Sequence, residues 1–317
     1  MSIAFTFPGQ GSQHVGMGSE LADAFAAARD VFAEVDDALG QDLSGIMRDG
    51  PEDTLTLTEN AQPALMAVSL AVMRVLEREH GLQLSKIVSF VAGHSLGEYS
   101  ALAAAGALSL ADTARLLKTR GQAMQAAVPV GQGAMAALLG ADLPDAQKLA
   151  EAAAEGDVCQ AANDNAPGQV VVSGAKAAVD RAVELAPEFG ARRAVLLPVS
   201  APFHCALMQP AADVMAEALE MVEIGKPVVP VVANVAATGI SEPADIRRRL
   251  VEQVTGMVRW RECVLFMAGQ GVQTLYEVGA GRVLTGLARR IERSLGAESI
   301  GTPSDIETAA EALTPVA

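Results

Sequence analysis

The sequence is poor in aromatic residues and in basic ones. Aromatic residues make up 3% of its 317 positions, and 23 lysines and arginines stand against 38 acidic residues, which leaves a formal net charge of -15. Proteins that bind phosphate backbones or anionic membranes depend on positive charge. The composition therefore predicts that neither nucleic acid nor a membrane is a partner of this protein.

Cysteine is scarce as well. The three cysteines, Cys159, Cys205 and Cys263, lie far apart, and none stands in a C-x-x-C or histidine-paired spacing. Zinc sites and disulfide frameworks are indicated by such spacings. We therefore expect reduced thiols and no metal site.

Long hydrophobic runs are missing. No apolar stretch approaches the roughly 20 residues that a membrane-spanning helix needs. The first apolar run, residues 3–7, has no basic segment before it and is followed by Pro8 and Gly9, which favours a buried strand over a secretory signal. These observations predict a cytoplasmic protein.

What the sequence does contain is an alternation of short apolar runs with segments of helical spacing. The predicted strands cover residues 3–7, 87–92, 133–139, 158–162, 169–173, 193–199, 228–233 and 274–278. The predicted helices cover residues 19–39, 61–79, 97–105, 110–127, 143–154, 175–188, 205–221, 244–254, 261–268 and 282–294. This alternation predicts an α/β fold whose mostly parallel sheet is covered on both faces.

The middle of the chain follows an order of its own. Residues 130–198 run strand, helix, strand, strand, helix, strand, with a turn-rich stretch at 163–168 between the two middle strands. That order is the split pattern of ferredoxin-like domains. We therefore predict a small ferredoxin-like subdomain, residues 130–198, inserted into a larger domain made of residues 1–129 and 199–317. From about Gly301 we expect a loosely held tail.

A serine flanked by glycines is the first candidate for chemistry. Residues 93–97 read G-H-S-L-G and lie between the predicted strand 87–92 and a predicted helix. In a G-x-S-x-G turn the glycines relieve crowding, so the serine projects above the sheet and the next backbone N–H faces the same space. The positive end of the helix favours developing negative charge. Ser95 is therefore a candidate nucleophile, and the alternative is a tight turn with a helix-capping serine.

A serine nucleophile needs a base within hydrogen-bond reach, and the sequence offers four histidines. His204 follows a predicted strand and precedes a predicted helix, which puts it at the sheet edge where sites gather. His94 is next to the serine, so its ring should diverge from the hydroxyl. His14 lies in a glycine-rich loop and His80 at a helix end. We predict His204 as the base, with a core or capping histidine as the alternative.

Short motifs are spread over nearly the whole chain. They are F-P-G-Q-G-S-Q at 7–13, G-H-S-L-G-E at 93–98, R-G-Q-A-M-Q at 120–125, N-A-P-G-Q at 165–169, F-H-C-A-L-M at 203–208, Y-E-V-G at 276–279 and L-T-G-L at 284–287. Together and in this order they resemble the malonyl-CoA:acyl carrier protein transacylase family. The resemblance implies an α/β-hydrolase-like large domain with a ferredoxin-like insertion, in agreement with the predicted order of elements.

The resemblance also implies the parts played by the principal side chains. Ser95 would take the malonyl group from coenzyme A, His204 would be its general base, and Arg120 would hold the free malonyl carboxylate. A planar guanidinium suits a carboxylate. The alternative for Arg120 is a side chain that complements a helix dipole.

Backbone groups complete the site that the resemblance implies. The N–H groups of Gln10 and Leu96 would form the oxyanion hole, and the carbonyl of Gln253 would orient the catalytic histidine. Gln10 could alternatively be a turn residue. The sequence departs from many members of the family at Phe203, where they carry a small residue, and in residues 254–257 after Gln253.

The function that the resemblance implies is two-step transfer of a malonyl group from malonyl-CoA to the thiol of an acyl carrier protein, in fatty acid biosynthesis. No cofactor is expected, because coenzyme A is carried by the substrate. The alternatives are a serine thioesterase or esterase of the α/β-hydrolase type, a polyketide-pathway acyltransferase with a different extender unit, and a non-catalytic carrier-binding module.

Overall fold

The chain folds into two sheets with helices packed on them. A computed structural model describes residues 2–313. The strands are β1 (Ser2–Phe7), β2 (Val88–Gly93), β3 (Gly133–Leu139), β4 (Cys159–Ala166), β5 (Gln169–Ala175), β6 (Arg193–Leu196), β7 (Val231–Ala233), β8 (Thr238–Ile240), β9 (Val272–Val278) and β10 (Gly296–Ile300).

The helices lie between these strands and after the last one. They are α1 (Ser19–Ala24), α2 (Ala26–Leu39), α3 (Leu43–Asp49), α4 (Glu52–Thr56), α5 (Thr58–Arg78), α6 (Leu84–Ile87), α7 (Gly97–Ala104), α8 (Leu110–Ala127), α9 (Leu143–Ala154), α10 (Lys176–Leu185), α11 (Gln209–Glu220), α12 (Pro243–Thr255), α13 (Trp260–Gly269), α14 (Val283–Ile291) and α15 (Pro303–Leu313). A 3-10 turn, Ala186–Phe189, directly follows α10, and a second one, Ala206–Met208, directly precedes α11.

The larger sheet has the strand order β10-β9-β1-β2-β7-β8. All of its neighbouring strands are parallel except β7 and β8, which are antiparallel. The predicted mostly parallel sheet is therefore confirmed. Because parallel strands end at the same edge, the chain segments after β1, β2, β7 and β9 meet there.

Alternate residues of the central strands face two different hydrophobic cores. Phe5 of β1 and Val91 of β2 pack into the core that contains α5 and α8. Their neighbours Ala4 and Ala92 pack on the opposite face, in the core that contains Trp260 of α13. A parallel sheet buried on both faces follows from this alternation, and it explains why these strands are continuous apolar runs.

The second sheet is formed by the middle of the chain. Its strand order is β4-β5-β3-β6, and all of its pairs are antiparallel. Helices α9 and α10 contribute to a third hydrophobic core with residues of β3 and β5. The predicted order strand, helix, strand, strand, helix, strand is therefore confirmed along this segment.

The turn predicted at 163–168 is wrong in extent. Strand β4 continues to Ala166 and β5 begins at Gln169, so only Pro167 and Gly168 form the turn. The polar residues of this stretch stay extended because they continue the pairing of β4 with β5, and they also contact a segment outside their own sheet. Asn163 forms a parallel bridge with Val258, and the Asp164 N–H donates to the Val258 carbonyl at 2.9 Å.

The predicted loose tail is also wrong for residues 301–313. Strand β10 pairs with β9, and α15 buries Ile306 and Ala309 in the large core. Asp305 fixes the start of α15, since its Oδ2 accepts from the N–H groups of Gly301 and Thr302. The rest of the predicted tail, residues 314–317, lies outside the described residues.

One smaller difference concerns a helix. The helix predicted at 19–39 is interrupted at Phe25, whose extended backbone (φ -127°, ψ 127°) separates α1 from α2. Among residues 2–313, no helix is both long enough and apolar enough to cross a membrane.

Candidate active site

Ser95 lies on a sharp turn between β2 and α7. Its φ is +53°, a left-handed conformation that costs a non-glycine residue about 1–3 kcal/mol. Both flanking glycines are needed for the turn. A Cβ on Gly93 would lie 1.9 Å from the carbonyl carbon of Gly97, and one on Gly97 would lie 2.2 Å from the Phe7 carbonyl oxygen. The turn therefore packs directly against the end of β1.

His204 contacts the serine as the sequence predicted. Its Nε2 lies 2.7 Å from Ser95 Oγ, and its Nδ1 lies 2.8 Å from the backbone carbonyl oxygen of Gln253. A carbonyl oxygen only accepts, so Nδ1 carries the proton and Nε2 is left as an acceptor. This tautomer presents a proton acceptor to the serine hydroxyl.

The environment keeps His204 neutral. Burial, followed by the positive charge of Arg120, lowers the pKa of His204 to about 3, and the hydrogen bond to the Gln253 carbonyl opposes this only in part. The imidazole is therefore uncharged at neutral pH and free to accept a proton. It is a weak base as long as the guanidinium beside it has no counter-ion.

Arg120 is a buried cation at the same site. Its Nη2 donates to Ser95 Oγ at 3.1 Å and to Gln253 Oε1 at 2.9 Å, and its Nη1 donates to Gln62 Oε1 at 2.9 Å. The residue is 1% exposed, and burial lowers its pKa. Within the described part of the chain it forms no direct salt bridge, and the amide of Gln253 lies between it and the buried carboxyl group of Glu98. A buried cation without a direct salt bridge suits a site that receives an anionic group.

A buried carboxyl group lies behind the serine. Oε2 of Glu98 accepts from the backbone N–H of Asn234 at 3.0 Å and from Nε2 of Gln253 at 2.8 Å. Burial raises the pKa of Glu98 to about 7, and these two hydrogen bonds together with Arg120 act in the opposite direction. Glu98 therefore links Gln253, whose carbonyl orients His204, with Asn234, which directly follows β7.

The family of the chain is settled by comparison with known proteins. Residues 4–298 match the model of the acyl transferase domain. The chain belongs to the acyl transferase family. It is 47% identical to the malonyl CoA-acyl carrier protein transacylase of Escherichia coli (strain K12), over 98% of this chain and 99% of that protein.

Solved structures of this acyl transferase family are similar over nearly the whole chain. The acyl-carrier-protein-S-malonyltransferase of Bartonella henselae is 59% identical, with a TM-score of 0.96 and 99% of each chain covered. A malonyl-transacylase solved in complex with a type II PKS acyl-carrier protein is 45% identical, with a TM-score of 0.95 over 98% of this chain and 100% of that chain.

Two further residues that the resemblance singled out, Gln10 and Leu96, also lie at this edge of the sheet. Leu96 directly follows Ser95, and Gln10 lies in the loop after β1. That loop closely approaches the serine turn, residues 93–97, which we call the elbow, since a Cβ on Gly9 would lie 2.9 Å from the His94 carbonyl oxygen. Within residues 2–313 no protein acceptor takes the backbone N–H of Gln10 or of Leu96.

The other histidines do not contact the serine. His94 points away from it, as expected, and its Nε2 lies 2.8 Å from Asn165 Oδ1. Asn165 belongs to the stretch predicted to be rich in turns, but it lies in β4 and its side chain contacts His94 of the serine turn. His14 is exposed and its Nδ1 lies 3.3 Å from the Ser12 carbonyl oxygen.

Sequence reasoning missed three residues of the site, Gln62, Glu98 and Asn234. Two of them carried a usable signal. Glu98 is a charged residue in the first turn of an otherwise apolar helix, and Asn234 ends the apolar run V-V-A-N after a strand of the central sheet. Gln62 gave no such signal, since its contact with Arg120 depends on how α5 packs against α8.

No metal or disulfide chemistry is visible in the described residues. All three cysteines are free and buried. Among residues 2–313, no group of three histidine, cysteine or acidic side chains lies close enough together to hold a metal ion.

Proposed function

We propose that this protein transfers a malonyl group from malonyl-CoA to the phosphopantetheine thiol of an acyl carrier protein, supplying fatty acid biosynthesis. The observation that carries the proposal is Arg120, a buried guanidinium without a direct salt bridge, 3.1 Å from the hydroxyl of Ser95. An acyl group that ends in a carboxylate provides the missing anion beside the nucleophile. The names of the similar proteins, one of them in complex with a carrier protein, support the same reaction.

In the first half-reaction Ser95 Oγ attacks the thioester carbonyl carbon of malonyl-CoA, and its proton passes to His204 Nε2. The carbonyl oxygen becomes an oxyanion that accepts hydrogen bonds from the N–H groups of Leu96 and Gln10. Collapse of this intermediate breaks the carbon–sulfur bond. The coenzyme A sulfur leaves with the proton from His204, and a malonyl-serine ester remains.

The second half-reaction reverses the roles of the two sulfur groups. The carrier thiol gives its proton to His204 and its sulfur attacks the ester carbonyl. The Ser95 oxygen then leaves and takes the proton back, so the enzyme returns to its starting state. Each thiol thus exchanges its proton with the same nitrogen, and no other cofactor is required.

The substrate carboxylate also adjusts the base. Arg120 is the second largest cause of the lowered pKa of His204. A carboxylate bound to Arg120 offsets that positive charge, so the pKa of His204 rises when malonyl-CoA occupies the site. His204 therefore becomes a stronger base with a malonyl group present than with an acyl group that lacks a carboxylate.

The architecture of the two units is part of the proposal. We propose a hydrolase-like large domain, residues 1–129 and 199–317, with a ferredoxin-like subdomain, residues 130–198, inserted into it. Support for the large domain comes from the serine turn between β2 and α7, and support for the subdomain from the strand order β4-β5-β3-β6. The cytoplasmic location stays a prediction from the sequence.

The test is a transfer assay with purified components. The protein is mixed with malonyl-CoA and a phosphopantetheinylated acyl carrier protein, and mass spectrometry follows both malonyl-carrier and free malonate. We expect malonyl-carrier to accumulate, and none to form on a carrier that lacks phosphopantetheine. Accumulation of malonate at the same rate with and without carrier would instead identify a thioesterase.

A further inference from the structure

The serine turn leaves two backbone groups beyond the regular hydrogen bonding of the sheet. Strand β2 ends at Gly93 and α7 begins at Gly97. One side chain serves both groups. Nδ2 of Asn234 donates to the Gly93 carbonyl oxygen at 2.7 Å, and its Oδ1 accepts from the Ser95 N–H at 2.8 Å. A single amide therefore spans the turn from the residue before the elbow to the serine itself.

Asn234 is held in place through its own backbone. It follows β7, which pairs with β2 through Ala92 and Val232, so it lies beside the elbow at the sheet edge. Its N–H donates to Glu98 Oε2 at 3.0 Å, and its carbonyl accepts from the Arg259 N–H at 3.1 Å. All of its polar groups are used, and the residue is 0% exposed.

A second amide holds the other side of the serine. Nε2 of Gln253 donates to the Ser95 carbonyl oxygen at 3.0 Å and to Glu98 at 2.8 Å. Both peptide groups of Ser95 are thus fixed by side chains, and both of the residues that supply them contact Glu98, Gln253 through its side chain and Asn234 through its backbone N–H. Since the carbonyl of Gln253 also holds His204, the nucleophile and its base are positioned by one connected set of hydrogen bonds.

We propose that Asn234 is a positioning residue for acyl transfer. It holds Ser95 in the left-handed conformation in which Oγ lies 2.7 Å from His204 and the following N–H faces the reacting carbonyl, and it does not itself touch the substrate. Without the amide, the serine turn relaxes toward a less strained backbone and the Oγ–Nε2 contact lengthens. The proposal rests on the proposed function, since it concerns the rate at which Ser95 takes the malonyl group.

The test compares Asn234→Ala and Asn234→Asp with the native enzyme in a single-turnover reaction with malonyl-CoA. The aspartate is isosteric and keeps an acceptor for the Ser95 N–H, but it places an oxygen against the Gly93 carbonyl. The matched control is Asn60→Ala. Asn60 is also buried, and its amide both donates, to the Thr54 carbonyl, and accepts, from Gln41 and Lys118, so none of these hydrogen bonds involves the serine turn.

Loss of the two hydrogen bonds is expected to lower the acylation rate constant at saturating malonyl-CoA about tenfold or more in both Asn234 variants, with KM changed less than about threefold. Asn60→Ala is expected to lose thermal stability and keep the native rate constant. A native rate constant in either Asn234 variant, or an equal loss in Asn60→Ala, overturns the proposal. If Asn234→Ala does not fold, the aspartate variant decides.

The same experiment separates this proposal from the proposed function. If the native enzyme forms no malonyl ester on Ser95, the proposed function fails and the role of Asn234 in it fails as a consequence. If the native enzyme is malonylated and the Asn234 variants react at the native rate, the function stands and only the positioning role is refuted.

Discussion

Arg120→Ala is the substitution with the most specific consequence, because it removes the cation that would recognise the malonyl carboxylate. Arginine has five N–H donors. Three are used by Gln62, Gln253 and Ser95, and the one on Nε is enclosed by protein without a partner. One N–H on Nη1 is left for a carboxylate. The Nη2 N–H that now donates to Ser95 Oγ becomes available to the carboxylate as well when the serine forms an ester.

The magnitude follows from that count. A hydrogen bond between a buried cation and an anion contributes about 1.5–3 kcal/mol, so the loss of one contact lowers kcat/KM for malonyl-CoA about tenfold to a hundredfold. Loss of the second contact adds to this. Acetyl-CoA has no carboxylate, and removal of the cation raises the pKa of His204, so acetyl transfer should hold steady or rise.

The assay is the ratio of kcat/KM for malonyl-CoA to kcat/KM for acetyl-CoA with the same carrier protein. Arg115→Ala is the matched control, since Arg115 lies on the same helix with an exposed side chain paired to Asp112. Arg120→Lys should recover only part of the ratio, because an ammonium group cannot reproduce the hydrogen bonds of the guanidinium plane. A ratio that Arg120→Ala leaves unchanged would refute the reasoning about the substrate.

Three further predictions concern Glu98, His204 and Gly97. Because the pKa of Glu98 is raised to about 7 in the folded state, its ionisation lowers the stability of the fold as pH rises from about 4.5 to 7. The free energy of unfolding of Glu98→Gln, measured with urea, should therefore exceed that of the native protein by an amount that grows to about 3 kcal/mol between pH 5 and pH 8. A difference that does not grow with pH would contradict this. Because the pKa of His204 is lowered to about 3, its imidazole should stay neutral at pH 5 in an NMR titration of the free enzyme, whereas a transition near pH 6.5 would show that burial and Arg120 do not act as described. Gly97→Ala forces a Cβ against the backbone of β1 and should lower the free energy of unfolding by about 1–3 kcal/mol. Gly286→Ala, which has open space around it in α14, should raise the free energy of unfolding by up to about 1 kcal/mol. Equal effects at the two positions in urea unfolding would disprove the packing argument.

The elements that sequence patterns predicted best are those with strong local signals. Helix α8 has the predicted bounds, and it begins after Ser109, whose side chain caps it by accepting from the Asp112 N–H at 3.0 Å. Strand β3 and helix α9 also have the predicted bounds. The strands β8 and β10 were missed because they are short and lie at sheet edges, where pairing with a neighbour matters more than composition.

For the site, sequence reasoning found both the nucleophile and its base, but topology accounts only for the nucleophile. Ser95 follows β2 of the parallel sheet, as predicted. His204 lies 109 residues further on and follows β6, an edge strand of the second sheet, so the expectation that a strand of the parallel sheet leads to it was wrong, although its Nε2 does contact the serine. The links made by Glu98 could not be predicted in the same way. Its partners Asn234 and Gln253 lie 136 and 155 residues away, and only the packing of three elements brings the Asn234 backbone N–H and the Gln253 side-chain amide to one carboxyl oxygen.

The measurement that tests the central claim most directly is intact-protein mass spectrometry after incubation with malonyl-CoA alone, without a carrier. The native enzyme should acquire one malonyl group, peptide mapping should place it on Ser95, and Ser95→Ala should acquire none. Addition of a phosphopantetheinylated carrier protein should then remove the group from the native enzyme. A native enzyme that stays unmodified, or an equal adduct on Ser95→Ala, would contradict the account.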